Sequence, residues 1–566
     1  MARGAWWRHG VIYHIYPRSF CDSNGDGVGD LAGVTARLDY LNDGTPSSLG
    51  VDAIWLSPFY PSPMKDFGYD VSDYTGVHPL FGTLEDFDTL VTEAHARGIR
   101  VIVDLVPNHT SDQHPWFIES RSSRQSPKRD WYVWADPKPD GSPPNNWMSA
   151  FPRAGRAWTF DEPTGQWYLH SFLPEQPDLN WWSPDVREAM DRVIRFWLDR
   201  GVDGFRIDVA HRMAKDPQLR DNPLVEMGDD DASGMERAIR LARKRLDLYD
   251  EDWPEVHEIL RRFRRTLDAY DERMAVGEVY LLDLRKLARY HGSGRDELHL
   301  AHNFVFLHQP WKPDAFRSVV DEYASLLPAD AWPAQFLGNH DHSRVASRYD
   351  EGGNGPARAR VGAMMVLTLR GTPFLYYGEE LGMLDGEIPP DRVVDVDGRD
   401  PERTPMQWDS SPGAGFSLPA REGAGLGAAG GAGARAVEPW LPVAPNADRV
   451  NVEVERNDPA SMLSLYRRLI WYRKGSAALR WGSYRSLPDV PESLYAFLRE
   501  APEERLLVIL NFGDEPVRWP TDPDLGPTAQ VELSTNSTRH PAPVQLANLT
   551  VAPREGLILR LTPGRP

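Results

Sequence analysis

Two charged residues stand two apart inside an apolar run: Arg206 and Asp208, in Gly201-Val-Asp-Gly-Phe-Arg-Ile-Asp-Val-Ala210. The run suits a strand buried on both faces of a parallel sheet, and positions i and i+2 of a strand share one face. Burying a guanidinium and a carboxylate incurs a desolvation cost. The pair is therefore either an internal ion pair that stabilises a sheet or part of a working site. Three further runs share the pattern. Val101–Val106 carries Asp104 and is followed by Asn108 and His109; Met274–Tyr280 carries Glu278; Gln335–Asp341 ends in Asn339, His340 and Asp341. Each is short and hydrophobic, with its polar residues at or near its C-terminal end. Parallel (β/α) barrels build their active sites at that end, from several strands. The four segments together predict one shared site.

The elements between them have the matching rhythm. Val11–Phe20 and Val51–Pro58 read as the first two strands, and 101–106 as the third. Phe87, Leu90, Val91 and Ala94 give helical spacing over 85–97, with Gly98 as its stop. An amphipathic helix over 184–200 feeds the Arg206 strand, a helix over 357–370 precedes a last strand at 373–377, and 461–474 is the last long helix. This β, α, β order points to a parallel sheet. Between Thr110 and Asn180 the periodicity lapses into Pro, Trp, Asp and Asn, and so long an excursion predicts a small inserted domain. From Trp481 short β-like runs such as Leu506–Asn511 and Gly556–Leu561 predict an antiparallel β-sandwich. The expected plan is an α/β chain: a barrel of 1–109 and 181–480, an insertion of 110–180, and a C-terminal β domain of 481–566. Residues 411–436, rich in Gly and Ala, are expected to form a loop over the barrel end.

Composition sets the outer bounds. At 566 residues the chain needs more than one domain. A net charge of −20 argues against nucleic acid or an anionic membrane as partner, since both require a basic patch. Twenty each of Trp, Tyr and Phe supply a core and leave aromatic planes on which pyranose rings can stack. The single cysteine, Cys21, excludes an intramolecular disulfide and fits a reducing compartment. With no apolar leader run and no membrane-length stretch, the expected location is cytoplasmic. Oligomeric state is not legible.

The four segments, in their chain order, closely resemble the signature regions of the α-amylase superfamily of glycoside hydrolases (glycoside hydrolase family 13). From about Trp7 to Trp408 the chain is similar to the α-glucosidase and oligo-1,6-glucosidase branch. The resemblance implies a (β/α)8 TIM barrel and a retaining mechanism, in which two carboxyl groups stand ~5–5.5 Å apart and one attacks the sugar. Asp208 is then the nucleophile, kept ionised by Arg206, and Glu278 the general acid/base, its pKa raised by neighbouring carboxylates and burial. Asp341 binds sugar hydroxyls and helps distort the ring. His109 and His340 also suit hydroxyls, Arg206 is grouped with the substrate-binding residues, and Asp104 and Asn108 support the site. Phe172, in Trp167-Tyr-Leu-His-Ser-Phe172, is one wall of the pocket, with a core aromatic as the alternative. Asp70 and Arg403 grip the terminal glucose and close the pocket behind it, which selects exo action; a surface salt bridge is the alternative.

One loop suggests a metal. In Asp22-Ser-Asn-Gly-Asp-Gly-Val-Gly-Asp30, the oxygens of Asp22, Asn24, Asp26, Asp30 and the Val28 carbonyl fall at positions 1, 3, 5, 9 and 7, as in the first part of an EF-hand loop. Position 12 is Gly33, so this is not an EF-hand. The resemblance implies structural Ca²⁺, with Mg²⁺ as a second possibility; an acidic surface turn is the alternative. The expected function is a retaining exo-acting α-glucosidase that releases terminal glucose from short oligosaccharides or disaccharides. A transglucosidase or sucrose/trehalose isomerase could use the same residues, and a non-catalytic interaction module is the remaining reading. Val209 resembles members that favour α-1,6 bonds, but Glu278-Val-Tyr-Leu281 departs from the oligo-1,6-glucosidase pattern. Linkage preference therefore stays open.

Overall fold

The computed structural model describes residues 5–224, 246–418, 438–521 and 523–562. Eight parallel strands form its centre: β1 (Ile12–Ile15), β2 (Ala53–Leu56), β3 (Arg100–Leu105), β4 (Gly204–Ile207), β5 (Met274–Val279), β6 (Leu300–Asn303), β7 (Ala334–Gln335) and β8 (Thr372–Tyr376). Their ladder runs β7-β8-β1-β2-β3-β4-β5-β6, and β7 lies beside β6 to complete the ring. Helices between the strands cover the outside. The helix Leu84–Ala96 starts on a capping box: the Thr83 hydroxyl accepts from the Asp86 amide, and the Asp86 carboxylate accepts from the Thr83 amide. The first strand is shorter than its sequence suggests, because Pro17 opens a helical turn over Pro17–Phe20.

The side-chain period of two positions the site. Ile12, Ala53, Trp55, Ile102, Met274, Val276, Leu300 and Phe374 pack together as one cluster, the inside of the ring. Two residues further along their strands come His14, Asp104, Glu278 and His302, all buried. Inward-facing positions thus pass from apolar to polar towards the C-terminal ends. Asp104 pairs laterally with Arg206, and Glu278 with His302. At Gly204 an added Cβ would lie 2.8 Å from the Met274 carbonyl oxygen, so only glycine lets β4 approach β5 there.

Between β3 and β4 the chain makes a small antiparallel sheet, in the order Trp134–Ala135, Gln166–Leu169, Trp158–Asp161. After the barrel comes a six-stranded antiparallel sheet. It is buried on both faces: Phe497, Val508, Leu510 and Ile558 join the main core, while Leu494, Leu498, Leu507 and Ile509 pack under Trp519 and Val551 of a two-stranded sheet. Most of the expected loop 411–436 lies outside the described residues. Among the described residues no helix is long and apolar enough to cross a membrane.

Candidate active site

Arg206 is the hub. It is 1% exposed, and its Nη1 donates to Asp104 Oδ1 (2.9 Å) and Asp208 Oδ1 (2.7 Å) while Nη2 donates to Glu278 Oε2 (2.7 Å). One cation therefore holds three carboxyl groups from three strands. Asp104 is fixed further by Trp55 Nε1 (3.0 Å) and the Tyr69 hydroxyl (3.2 Å). Val209, just after Asp208, adopts a left-handed conformation (φ 35°), uncommon for a β-branched residue. In that conformation its amide donates to Glu278 Oε2 at 3.1 Å. Backbone strain is retained here, where it joins the ends of β4 and β5.

The electrostatics follow from one positive charge among three buried acids. Burial pushes Asp104 up to about 6 against the pull of Arg206. Asp208 is raised well above the usual carboxylate range: burial dominates, Arg206 opposes it, and Glu278 and Asp104 add to it. The expectation that Arg206 holds Asp208 low is thus corrected, because desolvation and two like charges outweigh one shared guanidinium. Asp208 and Glu278 accept from the two amino nitrogens of the same guanidinium, at 2.7 Å each, which sets their carboxyl groups side by side. Such adjacency suits a retaining pair, whose carboxyl groups stand ~5–5.5 Å apart, better than an inverting pair, which leaves ~6.5–9.5 Å for water.

Asp341 faces them across a cavity of about 270 Å³ that is also lined by Tyr69, His109, Phe172 and His340. Burial opposes its charge, but the Nε2–H of His340, 3.3 Å from Oδ2, and the Arg399 and Arg403 guanidiniums outweigh it and hold it well below the usual carboxylate range. His340 Nε2 lies 2.7 Å from the Tyr69 hydroxyl and 3.3 Å from Asp341 Oδ2, which assigns its proton to Nε2. Burial lowers His109 to about 4 and His340 well below its ordinary value, so both are neutral and able to serve hydroxyl groups. Phe172 packs against His109 and Phe151 as a wall, their ring centroids 5.2 and 5.3 Å away.

Three expected placements need correction. Arg206 does not line the cavity; it anchors the acids from beneath. The Asp70–Arg403 pair does not form. Asp70 accepts from Ser62 Oγ, the Lys65 amide and the Asp66 amide (2.8, 2.9 and 3.0 Å), which braces its own loop. Arg403, 1% exposed, donates from Nε to the His340 carbonyl (2.7 Å) and from Nη2 to Asp341 Oδ1 (2.9 Å). The pair at the cavity lies four residues earlier on both sides: Arg399 Nη2 donates to Asp66 Oδ1 at 2.6 Å, and Nη1 to Asp341 Oδ1 at 3.1 Å. Sequence reasoning also missed Tyr69, Phe151, Tyr280, His342 and Asp397 in the lining. The Phe67-Gly-Tyr-Asp70, Met274–Tyr280, Gln335–Asp341 and Gly398–Trp408 segments marked the neighbourhood of all of these except Phe151.

The expected metal loop curls on itself, with Gly25 (φ 80°) and Gly27 (φ 88°) taking the left-handed turns. Asp22 accepts from the Asn24, Gly25 and Gly27 amides, Asn24 from the Asp26 amide, and Asp26 from the Val28 amide. Asp30 accepts from Ser23 and caps the helix Leu31–Ala36 through the Gly33 amide (2.6 Å). Among the described residues no three His, Cys, Asp or Glu side chains come together as a metal cluster.

A family model described as the α-amylase catalytic domain matches residues 14–482. The chain is 44% identical over 524 residues to a probable α-glucosidase of Rhizobium meliloti (strain 1021), with 90% of each chain covered. It is 38% identical over 549 residues to an oligo-1,6-glucosidase of Parageobacillus thermoglucosidasius, covering 90% of this chain and 91% of that one. Its fold superposes on the solved α-glucosyl transfer enzyme XgtA with a TM-score of 0.88 at 39% identity, over 99% of this chain and 100% of the other.

Proposed function

The chain belongs to the α-amylase family of glycoside hydrolases, and from that premise we propose that it is a retaining exo-acting α-glucosidase. The observation that carries this reading is the adjacency of Asp208 and Glu278, each held by one amino nitrogen of the same guanidinium. In the first step the Asp208 carboxylate attacks the anomeric carbon. The glycosidic C–O bond breaks, and Glu278 gives its proton to the leaving oxygen. In the second step Glu278 takes a proton from water, which attacks the same carbon and frees Asp208. Two inversions leave the α-configuration unchanged. Asp341, held ionised by Arg399 and Arg403, grips ring hydroxyls, while His109 and His340 serve them as neutral groups. With p-nitrophenyl α-glucoside, whose only glucose is the one transferred, NMR should detect α-glucose first, followed by mutarotation. Initial release of β-glucose would overturn the mechanism.

Exo action rests on Asp66 and Arg399, whose ion pair blocks the cavity behind the non-reducing glucose. Replacing either with Ala removes charge-assisted contacts of about 1.5–3 kcal/mol. The expected result is a ~10–100-fold loss of kcat/KM carried mainly by KM. Unchanged KM in both variants would remove the pair from the site. Transfer in place of hydrolysis uses the same glucosyl-enzyme, with a sugar hydroxyl taking the place of water. Product analysis at high maltose separates the two outcomes.

The hard oxygens of Asp22, Asn24, Asp26, Asp30 and the Val28 carbonyl suit Ca²⁺ better than any soft metal. Bound there, it would brace the loop after β1 and take no part in the reaction. Since a ligand of the folded state stabilises by mass action, chelation should lower Tm and added Ca²⁺ restore it, with kcat at low temperature unaltered. A Tm indifferent to both would leave the loop an acidic turn.

A further inference from the structure

A second cavity, of about 260 Å³, opens where the inserted segment meets the chain following β4. Trp134, Asn180 and Trp182 line one side, Lys215, Asp216 and Leu219 the other. We propose that it is a second saccharide-binding site, for a neutral gluco-oligosaccharide.

Trp182 is the central observation. It is 42% exposed, a large apolar area left open to water. It is also clamped: its indole Nε1 donates to the Lys215 carbonyl at 3.1 Å, and its amide to Asn180 Oδ1 at 3.1 Å. A fixed, half-open indole is a stacking platform with little ordering entropy left to lose on binding. Polar groups stand around it. Asn180 is held by its Nδ2 on the Asp130 carbonyl (2.9 Å), and the exposed Asp130 carboxylate lies at the rim as a hydroxyl acceptor.

The charges select a neutral ligand. Lys215 Nζ is 2.5 Å from Asp178 Oδ2, and Asp216 is 2.6 Å from Arg220 Nε. Neither is free to pair with a phosphate or an amine. A ring with one apolar face and a hydroxyl edge matches an aromatic platform with a polar rim. The site is separate from the reacting acids but shares a wall with their cavity. Lys215 Nζ also lies 2.6 Å from Asn108 Oδ1, and Asn108 Nδ2 lies 3.1 Å from His109 Nδ1.

The test is protection of Trp182 from N-bromosuccinimide oxidation, read residue by residue by peptide mass spectrometry. The wild-type protein is first saturated with deoxynojirimycin, a basic glucose analogue, so that the first cavity is filled and hydrolysis blocked. Maltotriose should then slow oxidation of Trp182 severalfold. Trp481, 49% exposed and outside the cavity, should oxidise at an unchanged rate. Equal rates for Trp182 with and without maltotriose overturn the proposal, as does equal protection by glycerol at the same mass concentration. Trp182→Ala should keep the wild-type kcat/KM at low maltose and lose any deviation from hyperbolic kinetics at high maltose. A lowered kcat/KM at unchanged Tm would instead make Trp182 a wall of the first cavity and overturn the proposal. Hydrolysis is assayed separately, so failure of this site leaves the proposed activity standing.

Discussion

Asp208→Asn should lower kcat on maltose by at least ~10⁴-fold, the scale seen when a covalent nucleophile is removed, without lowering Tm. Asn keeps the shape and can still accept from Arg206 Nη1, which now contacts Asp208 at 2.7 Å. It cannot form the glucosyl ester. Stability should move the other way from activity, because Asp208 is one of three buried acids sharing one guanidinium. Its folded pKa is raised well above the usual range. A carboxyl raised on folding contributes stability that is fully present below its unfolded pKa and is lost as pH rises through the folded pKa. The Tm of Asp208→Asn relative to wild type should therefore improve between pH 4 and pH 8. A companion variant, Asp208→Gly, identifies the role. Azide entering the vacated space forms the C–N bond from the face the carboxylate used, the glycosidic C–O bond breaks, and Glu278 protonates the leaving oxygen. The product is β-glucosyl azide. Wild-type activity in Asp208→Asn, or α-glucosyl azide from Asp208→Gly, would remove Asp208 from the nucleophile's role.

Most of the frame was legible because it rests on short-range signals. The apolar strands with polar C-terminal residues, the capped helix after β2 and the change to β-like runs after Trp481 each depend on local periodicity, and each has its counterpart in the structure. Pairing across the site was harder to read. Asp66 and Asp70, like Arg399 and Arg403, are four residues apart in motifs that both carry the right chemistry. Nothing local says which member faces the cavity. Three-dimensional satisfaction decides it: Ser62 and two loop amides saturate Asp70, and the His340 carbonyl and Asp341 hold Arg403 beneath the floor. Arg206 illustrates the same limit. Its spacing from Asp208 foretold a shared face, but that it serves Asp104, Asp208 and Glu278 together depends on the register of β3, β4 and β5. The left-handed Val209 had no sequence signal, since β-branched residues disfavour that conformation.

Glu278→Gln should separate substrates by leaving group. Oε2 of Glu278 already accepts from Arg206 Nη2 and the Val209 amide, so the acidic proton belongs on Oε1. Gln keeps the size and cannot deliver a proton. Loss of general acid catalysis is typically ~10²–10⁴-fold, and that should be the fall in kcat/KM on maltose, whose alkoxide leaving group needs protonation. α-Glucosyl fluoride needs no such help, so its glucosylation step should survive. Water attack, which requires Glu278 as base, should then be slow, and the glucosyl-Asp208 ester should accumulate and be visible by mass spectrometry. The alkaline limb of kcat/KM on maltose reports loss of the general acid's proton, and should flatten in the variant. Azide should restore turnover of the fluoride and yield α-glucosyl azide, the anomer opposite to that expected from Asp208→Gly. Two carboxyl groups on one guanidinium cannot be told apart by contact alone, but opposite anomers assign one to each role. Equal losses on maltose and on the fluoride would show that Glu278 acts through the geometry of Asp208 and not as the acid.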